Sequence, residues 1–476
     1  MGWSQPNVPV KDDARSWSPW ICLFIIFAGI FFALIWVVLH SSVGGVPSLA
    51  SGYWLPLTMK TLAGISVAIA AYLLWWEIQA VSVWNWNVWR RNMNILWRKR
   101  AHQHIFVAHY VTLTADPQLL PRLAGVATEN GDDAPALTLL PDEPLIPGIS
   151  RFEQLCRLLI NQIKSSLFQR HSTGPLTVLV QTSASDNEQE LRSFTRLWAD
   201  EKLPWTPDIQ ILPNEYPFSR WDNVVSSTRV PVLVVALHYR QPGESLAEFA
   251  CALLLTPGSM LASADRKIAT RLFRAMPLNS VALIHELKEL RDMGQQPANQ
   301  KHLVWHAGLA AGPRQSLGRM LNELSLPLYD DVCAGGVVDF DKKCGIYGGL
   351  VGWLMVAAAT EMASYGPRSQ WLLCESEKEA WAVVLGQGAP VTEGESGISS
   401  PPPYPAGSML LALLFNVGLF SVIQHYPSLA FSWAGVVILF VSLVVTLPCT
   451  AFLLRNMIAR LQHPLFVKAA GQSGKE

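Results

Sequence analysis

Residues Gly345 to Thr360 read GIYGGLVGWLMVAAAT, about 16 residues without a charge, and the number of membrane spans turns on them. As a span, the segment sits at the short edge of what crosses a hydrocarbon slab of about 30 Å. It would also place Arg455, Arg460, Lys468 and Lys475 on the opposite side from Arg90, Arg91, Arg98, Lys99 and Arg100, against the positive-inside rule. As a core helix it is well suited. Gly345 and Gly349, and Gly348 and Gly352, recur at four-residue spacing, and Ala357 to Ala359 continue a small face that lets neighbours approach. The core-helix reading agrees with the charges, and a fifth span is the alternative.

Outward from this segment, continuous apolar runs alternate with helical ones. Pro175 to Val180 (PLTVLV) and Val230 to Leu237 (VPVLVVAL) are apolar on both faces, as buried strands are, and Ile209 to Leu212 is a shorter one. Asn187 to Glu201, Glu244 to Leu255, Ala264 to Met276 and Arg314 to Leu324 read as helices, with Ser263 a cap for the third. Leu303 to Ala307 reads as a strand, and Trp371 to Cys374 with Trp381 to Leu385 as a hairpin. No fixed-period repeat is visible. The expectation is a layered α/β domain over residues 105–392, with an exposed loop around Glu129 to Pro147.

Further out lie four stretches of bilayer length, a pair at each end. Trp20 to Leu39 and a run centred on Thr61 to Trp76 fall within residues 20–80, and Gly407 to Gln424 and Ser428 to Leu454 within 407–454, with Pro448 expected to kink the last. Lys60 and Glu77 bracket the second span and are expected to snorkel toward opposite interfaces. The first lacks an A-x-A site and reads as an uncleaved anchor. Neither His40 to Tyr53 nor His425 to Pro427 contains Lys or Arg, so both termini (1–19 and 455–476) and the domain are expected in the cytoplasm. Residues 81–104 form a basic, aromatic segment, in which Trp84, Trp86, Trp89, Arg90, Arg91, Trp97, Arg98, Lys99 and Arg100 are the expected membrane-interface anchors. Residues 393–406, rich in Pro, Gly and Ser, read as a linker.

Composition agrees. Of 476 residues, 50% are hydrophobic and only 15% charged, a balance that leans toward a membrane protein. Equal numbers of basic and acidic residues, 36 each, leave no net charge and exclude the basic field of a nucleic-acid binder. The 7 cysteines stand singly with no CxxC pair, which favours neither a disulfide framework nor a zinc site.

Motifs for chemistry are scarce. The chain has no phosphate loop, no dinucleotide fingerprint and no GxSxG elbow. His102, His104 and His109 lie beside the aromatic segment without further ligands at metal spacing, so an interfacial polar role is expected and no metal or cofactor. His302 and His306 fall on one face of an extended stretch, in a core or surface role. Asp330 with Asp331 and Asp339 with Asp341 are acid–base candidates, with solvated loop carboxylates the plainer reading. Cys251 reads as a small core residue of an apolar helix or strand.

In chain order come TVLVQTS (177–183), VPVLVVAL, Glu248-Phe-Ala-Cys-Ala-Leu-Leu-Leu, Asp339-Phe-Asp-Lys-Lys-Cys-Gly-Ile-Tyr-Gly-Gly-Leu-Val-Gly and the closing hairpin LLCESEKEAWAVVL. Over residues 150–390 this resembles the thiolase and β-ketoacyl synthase family, whose GE-x-A-AALLL segment, KSxxGH segment with its buried alanine-rich helix, and final hairpin follow in this order. The resemblance implies a thiolase-like layered α/β fold. It also implies a nucleophilic cysteine ahead of the first segment and a glycine–histidine pair in the second. This chain has no cysteine between Cys156 and Cys251 and reads Lys343-Cys344-Gly345-Ile346-Tyr347-Gly348 at the second place. Acyl transfer needs an activated thiolate and an imidazole beside the acyl carbonyl.

The expectation is therefore a non-catalytic scaffold or adaptor in a bacterial inner membrane, in contact with lipid and a partner protein. Its layout resembles that of type VI secretion accessory proteins, which implies an effector or secretion component as partner. The alternative is a membrane-surface acyltransferase acting on a lipid or acyl-thioester. It would use a rearranged site at Cys344 beside Lys343, near a helix N-terminus.

Overall fold

The structure, a computed structural model, describes residues 2–41, 52–116, 119, 123, 138–140, 146–170, 173–183, 187–212, 218, 221–240, 244–297, 299–331, 334–376, 379–390, 401–426, 428 and 432–473. Two units divide the chain, residues 1–5 with 95–392 and residues 6–94 with 393–476. Helices α1 (Pro19–Ser41) and α2 (Trp54–Ala101) come first, then strand β1 (His104–Thr114) and α3 (Arg151–Arg170). The chain continues through β2 (Gly174–Thr182), α4 (Asn187–Asp200), β3 (Trp205–Ile211), α5 (Trp221–Ser227), β4 (Val232–His238) and β5 (Phe249–Thr256). Next are α6 (Ser263–Ile268), β6 (Thr270–Phe273), β7 (Met276–Leu278), α7 (Leu283–Asp292), β8 (His302–Ala307) and α8 (Ala311–Glu323). After β9 (Val337–Asp339), α9 (Phe340–Cys344), α10 (Val351–Met362), β10 (Ser369–Glu375) and β11 (Ala380–Gly386), helices α11 (Ala406–Ile423) and α12 (Trp433–Ser473) close the chain.

One 11-stranded sheet runs through the first unit in the order β3-β2-β4-β5-β1-β6-β11-β10-β8-β9, with β7 paired to β11. Strand β2 is parallel to β3 and β4, and β8 to β9 and β10, while β5, β1, β6 and β11 pair antiparallel through the middle. The order is a duplication. Strand β1, α3, β2, α4, β3, α5, β4, β5 is matched by β6, α7, β8, α8, β9, α10, β10, β11, and the two sets meet where β1 pairs with β6. The absence of a sequence repeat is consistent with this, because the halves share connectivity and burial pattern rather than residues.

Burial alternates along the strands. Val232, Val234 and Ala236 of β4 and Leu303, Trp305 and Ala307 of β8 point to the face that holds α10. Leu233, Val235 and Leu237 meet α3 and α4, and Val304 joins the core under α7 and α8. Helix α10 is the segment on which the span count turned. Its 12 residues cover about 18 Å, too short for a bilayer, and Trp353 to Ala359 are all buried. The Trp353 indole Nε1 donates to Gln181 Oε1 at 2.7 Å, and Gln370 Nε2 to the carbonyl of Ala359 at 2.6 Å, so the helix is bonded to both halves of the sheet. The expected start at Gly345 is not helical: Gly345 (φ 93) and Gly348 (φ 77) hold left-handed conformations in a turn ahead of α10.

Two local expectations are corrected. Glu244 to Leu255 is not a helix: its second half is β5, buried between β4 and β1, where sheet pairing on both edges overrides the helix preference of Ala and Leu. Ala264 to Met276 divides into α6, β6 and β7, and Ala262 rather than Ser263 occupies the cap. Helix α2 runs unbroken to Ala101, and β1, a central strand, follows from His104. Most of the 129–147 loop and residues 393–400 of the linker lie outside the described residues.

In the second unit, four helices among the described residues are long and apolar enough to cross a membrane: α1, α2, α11 and α12. The last begins at Trp433 and contains Pro448. Glu77 does not snorkel. It is fully buried, and its carboxylate caps α11 by accepting from Ser408 N at 2.8 Å and Ser408 Oγ at 3.0 Å. A helix N-terminus supplies the unpaired N–H groups and the positive dipole end that such a charge needs. Helix α2 has 48 residues and so measures about 72 Å, well beyond one bilayer. Trp86 and Trp89 meet Phe466 with ring centroids 5.3 and 5.7 Å away, and Arg90 donates to the Val8 carbonyl at 2.6 Å. Those expected anchors are thus engaged with protein. In the first unit, Trp97 packs against the core under α7 and α8.

Candidate binding cleft

Parallel strands that share a direction bring their carboxyl ends, and the loops that follow them, to one edge, where ligands of open α/β sheets bind. Here both halves contribute. Ser183 follows β2 and Gly308 follows β8, the equivalent strands of the duplication, and His238 ends β4 as Glu375 ends β10. Together with Glu244, Leu246, Leu309, Ala310, Asp341, the turn 346–350, Val351, Ser376 and Glu379 they line a cleft of about 950 Å³.

His238 is 4% exposed, and its Nε2 has no hydrogen-bond partner among the described residues; Glu244 Oε1 lies 3.7 Å away. Burial holds the imidazole below its usual range, opposed by the Glu244 and Glu248 carboxylates. The ring stacks 6.5 Å from Phe249, which in turn meets Tyr347 edge-on. Strand alternation puts it on the α10 face with Ala236.

Glu375 Oε2 accepts from Ala310 N at 3.0 Å, at the cap position of α8, and Asp341 Oδ2 accepts from Gly308 N at 2.7 Å. These carboxylates pin the turn between β8 and α8. Gly308 has φ 71, and a Cβ there would lie 2.0 Å from the Glu375 carbonyl oxygen, so only glycine fits. Burial raises the Asp341 carboxyl, with the neighbouring Asp339 also pushing it up, while the Gly308 N–H opposes the shift. Glu379 Oε2 accepts from the Trp381 indole at 3.1 Å on the exposed rim. Four carboxylates therefore line the cleft, and no Lys or Arg does among the described residues.

The other candidates lie elsewhere. Cys344 closes α9 rather than opening a helix, is 5% exposed, and with Lys343 is not part of the cleft lining. Burial pushes the Cys156 and Cys251 thiols far up and that of Cys374 to about 12. Asp339 caps α9 through Lys342 N and pairs with Arg314, and Asp330 and Asp331 are exposed in a turn. His302 hydrogen-bonds Ser369 Oγ at 2.7 Å and is buried, and His306 shares its face. His102 donates to the Met293 carbonyl and His104 to the His102 carbonyl, at 2.7 and 2.8 Å, while His109 is half-buried beside Tyr110. No group of three His, Cys, Asp or Glu residues able to hold a metal occurs among the described residues.

Sequence reading passed over His238 and Glu375. The signal was present: a polar residue directly after a continuous apolar strand marks a strand's carboxyl end.

No family model and no curated protein matches the chain. Among solved structures, cerulenin-bound OleA of Xanthomonas campestris aligns at 9% identity over 60% of this chain and 96% of its own, with a TM-score of 0.37. The tetronic acid condensing enzyme AbyA1 aligns at 12% identity over 59% and 99%, also with a TM-score of 0.37. OleA with bound lauric acid and lauroyl-CoA gives 10% identity, 60% and 99%, and 0.34. Likeness at this level carries no argument about what the present chain does.

Proposed function

We propose that the chain is a multi-pass membrane protein whose thiolase-like α/β domain, on the cytoplasmic side, holds a partner protein and does not transfer acyl groups. The observation that carries this reading is the cleft lining: four carboxylates, and neither a thiol nor a Lys or Arg among the described residues. Acyl-CoA and phosphopantetheine carriers bring phosphates, which carboxylates of like charge would repel. The domain's described thiols, Cys156, Cys251, Cys344 and Cys374, are all buried. A rearranged thiol site at Cys344 lacks the helix N-terminus that would activate it.

Four helices of spanning length fit an adaptor anchored near both ends of its domain, which raises the effective concentration of that domain for partners in the same membrane. The resemblance in layout to type VI secretion accessory proteins makes an effector or secretion component the first partner to seek. The test is extraction in mild detergent, capture through a C-terminal tag and mass spectrometry. A specific protein partner, retained by Cys344→Ala, is the expected result. A clean protein carrying an acyl chain, with labelling of Cys344 by an electrophilic acyl probe, would overturn the reading.

A further inference from the structure

The partner-binding reading leaves open which chemistry the partner presents, and the cleft is specific on that point. We infer that it receives a Lys- or Arg-bearing segment of the partner, a cationic head on an apolar stem, with His238 Nε2 bonding a polar atom of that segment. The inference rests on the partner-binding reading and deepens it.

Charge complementarity carries the argument. Glu244, Asp341 and Glu375 are half-buried around the cleft, with Glu379 on its rim, and no described Lys or Arg lines it. The bonds of Asp341, Glu375 and Glu379 to backbone or indole N–H engage one oxygen each, Oδ2, Oε2 and Oε2. Their second oxygens have no hydrogen-bond donor among the described residues. A guanidinium or ammonium answers that arrangement, since each brings several donors and a full charge. A phosphate or carboxylate ligand would instead meet four carboxylates of its own sign.

His238 is an independent observation. An imidazole nitrogen buried without a hydrogen-bond partner among the described residues is costly to desolvate, so it marks a place where a ligand atom repays that cost. It lines the same cleft as the carboxylates. Leu246, Leu309, Leu350 and Val351 add apolar wall, and Ile346, 61% exposed on the turn before α10, extends it to the surface. Such a wall suits the methylene stem of Lys or Arg and an apolar neighbour in an extended segment.

The experiment uses the full chain in detergent. Titration calorimetry at low and physiological salt would compare an acetylated, amidated leucine–arginine heptapeptide, its leucine–glutamate counterpart, spermidine and lauroyl-CoA. The leucine–arginine peptide should bind, more weakly as salt rises, and the acidic peptide and lauroyl-CoA should not. Glu244→Gln and Glu375→Gln should each weaken it about tenfold, the effect of losing one partly desolvated charge pair. His238→Phe should weaken it without changing the salt dependence. Gly349→Trp guards against misfolding: Gly349 lines the cleft and a Cβ there meets nothing within 4 Å, so a large side chain can start from it without a clash at its first atom and should abolish binding. Binding of lauroyl-CoA, or of spermidine without the peptide, would overturn the inference. So would peptide binding indifferent to Gly349→Trp. Capture of a protein partner that persists in Gly349→Trp would overturn this inference alone and leave the adaptor reading standing, whereas absence of any captured partner would count against the adaptor reading itself.

Discussion

His302 shows how little of a residue's chemistry follows from its type. Burial on the outer face of β8 lowers its pKa from 6.5 to about 4. The unfolded chain therefore binds a proton that the folded one does not between those values. This contribution to stability is fully present above pH 6.5 and is lost as pH falls toward 4, about 3 kcal/mol in all. Urea unfolding of the purified protein should show that slope, and His302→Asn should flatten it; an unchanged slope would place the proton elsewhere. Cys344 illustrates the opposite case, a residue whose neighbours in sequence suggested reactivity. Its replacement by Ala should cost only about 1 kcal/mol, the cost of a small buried void, and leave partner capture intact. His238, by contrast, was legible only by position, at the end of a strand, because its unsatisfied nitrogen depends on packing that no local pattern encodes.

At the level of elements, helix type followed local pattern where one face was buried and failed where sheet pairing took over. Asn187–Asp200 alternates polar and apolar residues with helical period and is a helix; Phe249–Thr256 is apolar throughout and is a strand because β4 and β1 flank it. In the second unit, the Glu77 cap joins α2 to α11. Glu77→Ala should lower stability in detergent by about 1–2 kcal/mol, and Glu77→Gln, which keeps an acceptor, by less. Thermal melts followed by size-exclusion chromatography would read this, and equal losses for the two variants would contradict a capping role. Helix approach gives a second test. A Cβ at Gly407 would lie 2.3 Å from the Leu74 nitrogen, while one at Gly418 meets nothing within 4 Å. Gly407→Val should therefore destabilise the unit by about 2 kcal/mol or more, and Gly418→Val should be near neutral. Comparable effects at both sites would argue against close packing at Gly407.

For the whole molecule, the proposed orientation rests on the four apolar helices and on the charges that flank them. An alkaline phosphatase fused after His425 should be active in a bacterial host, and one fused at Glu476 inactive, because the cations of the tail follow α12. The reverse pattern would invert the assigned orientation. Sequence alone was sufficient for the four apolar helices, the core character of Val351–Met362 and the α/β class of the domain, since hydrophobic length and periodicity are local and additive along the chain. The duplicated topology, the strand identity of 249–256, the capping of α11 by Glu77 and the meeting of Ser183, His238, Gly308, Asp341 and Glu375 emerged only on folding. Each joins residues far apart in the chain, and the energy of such contacts comes from partners, burial and dielectric that no window of sequence contains.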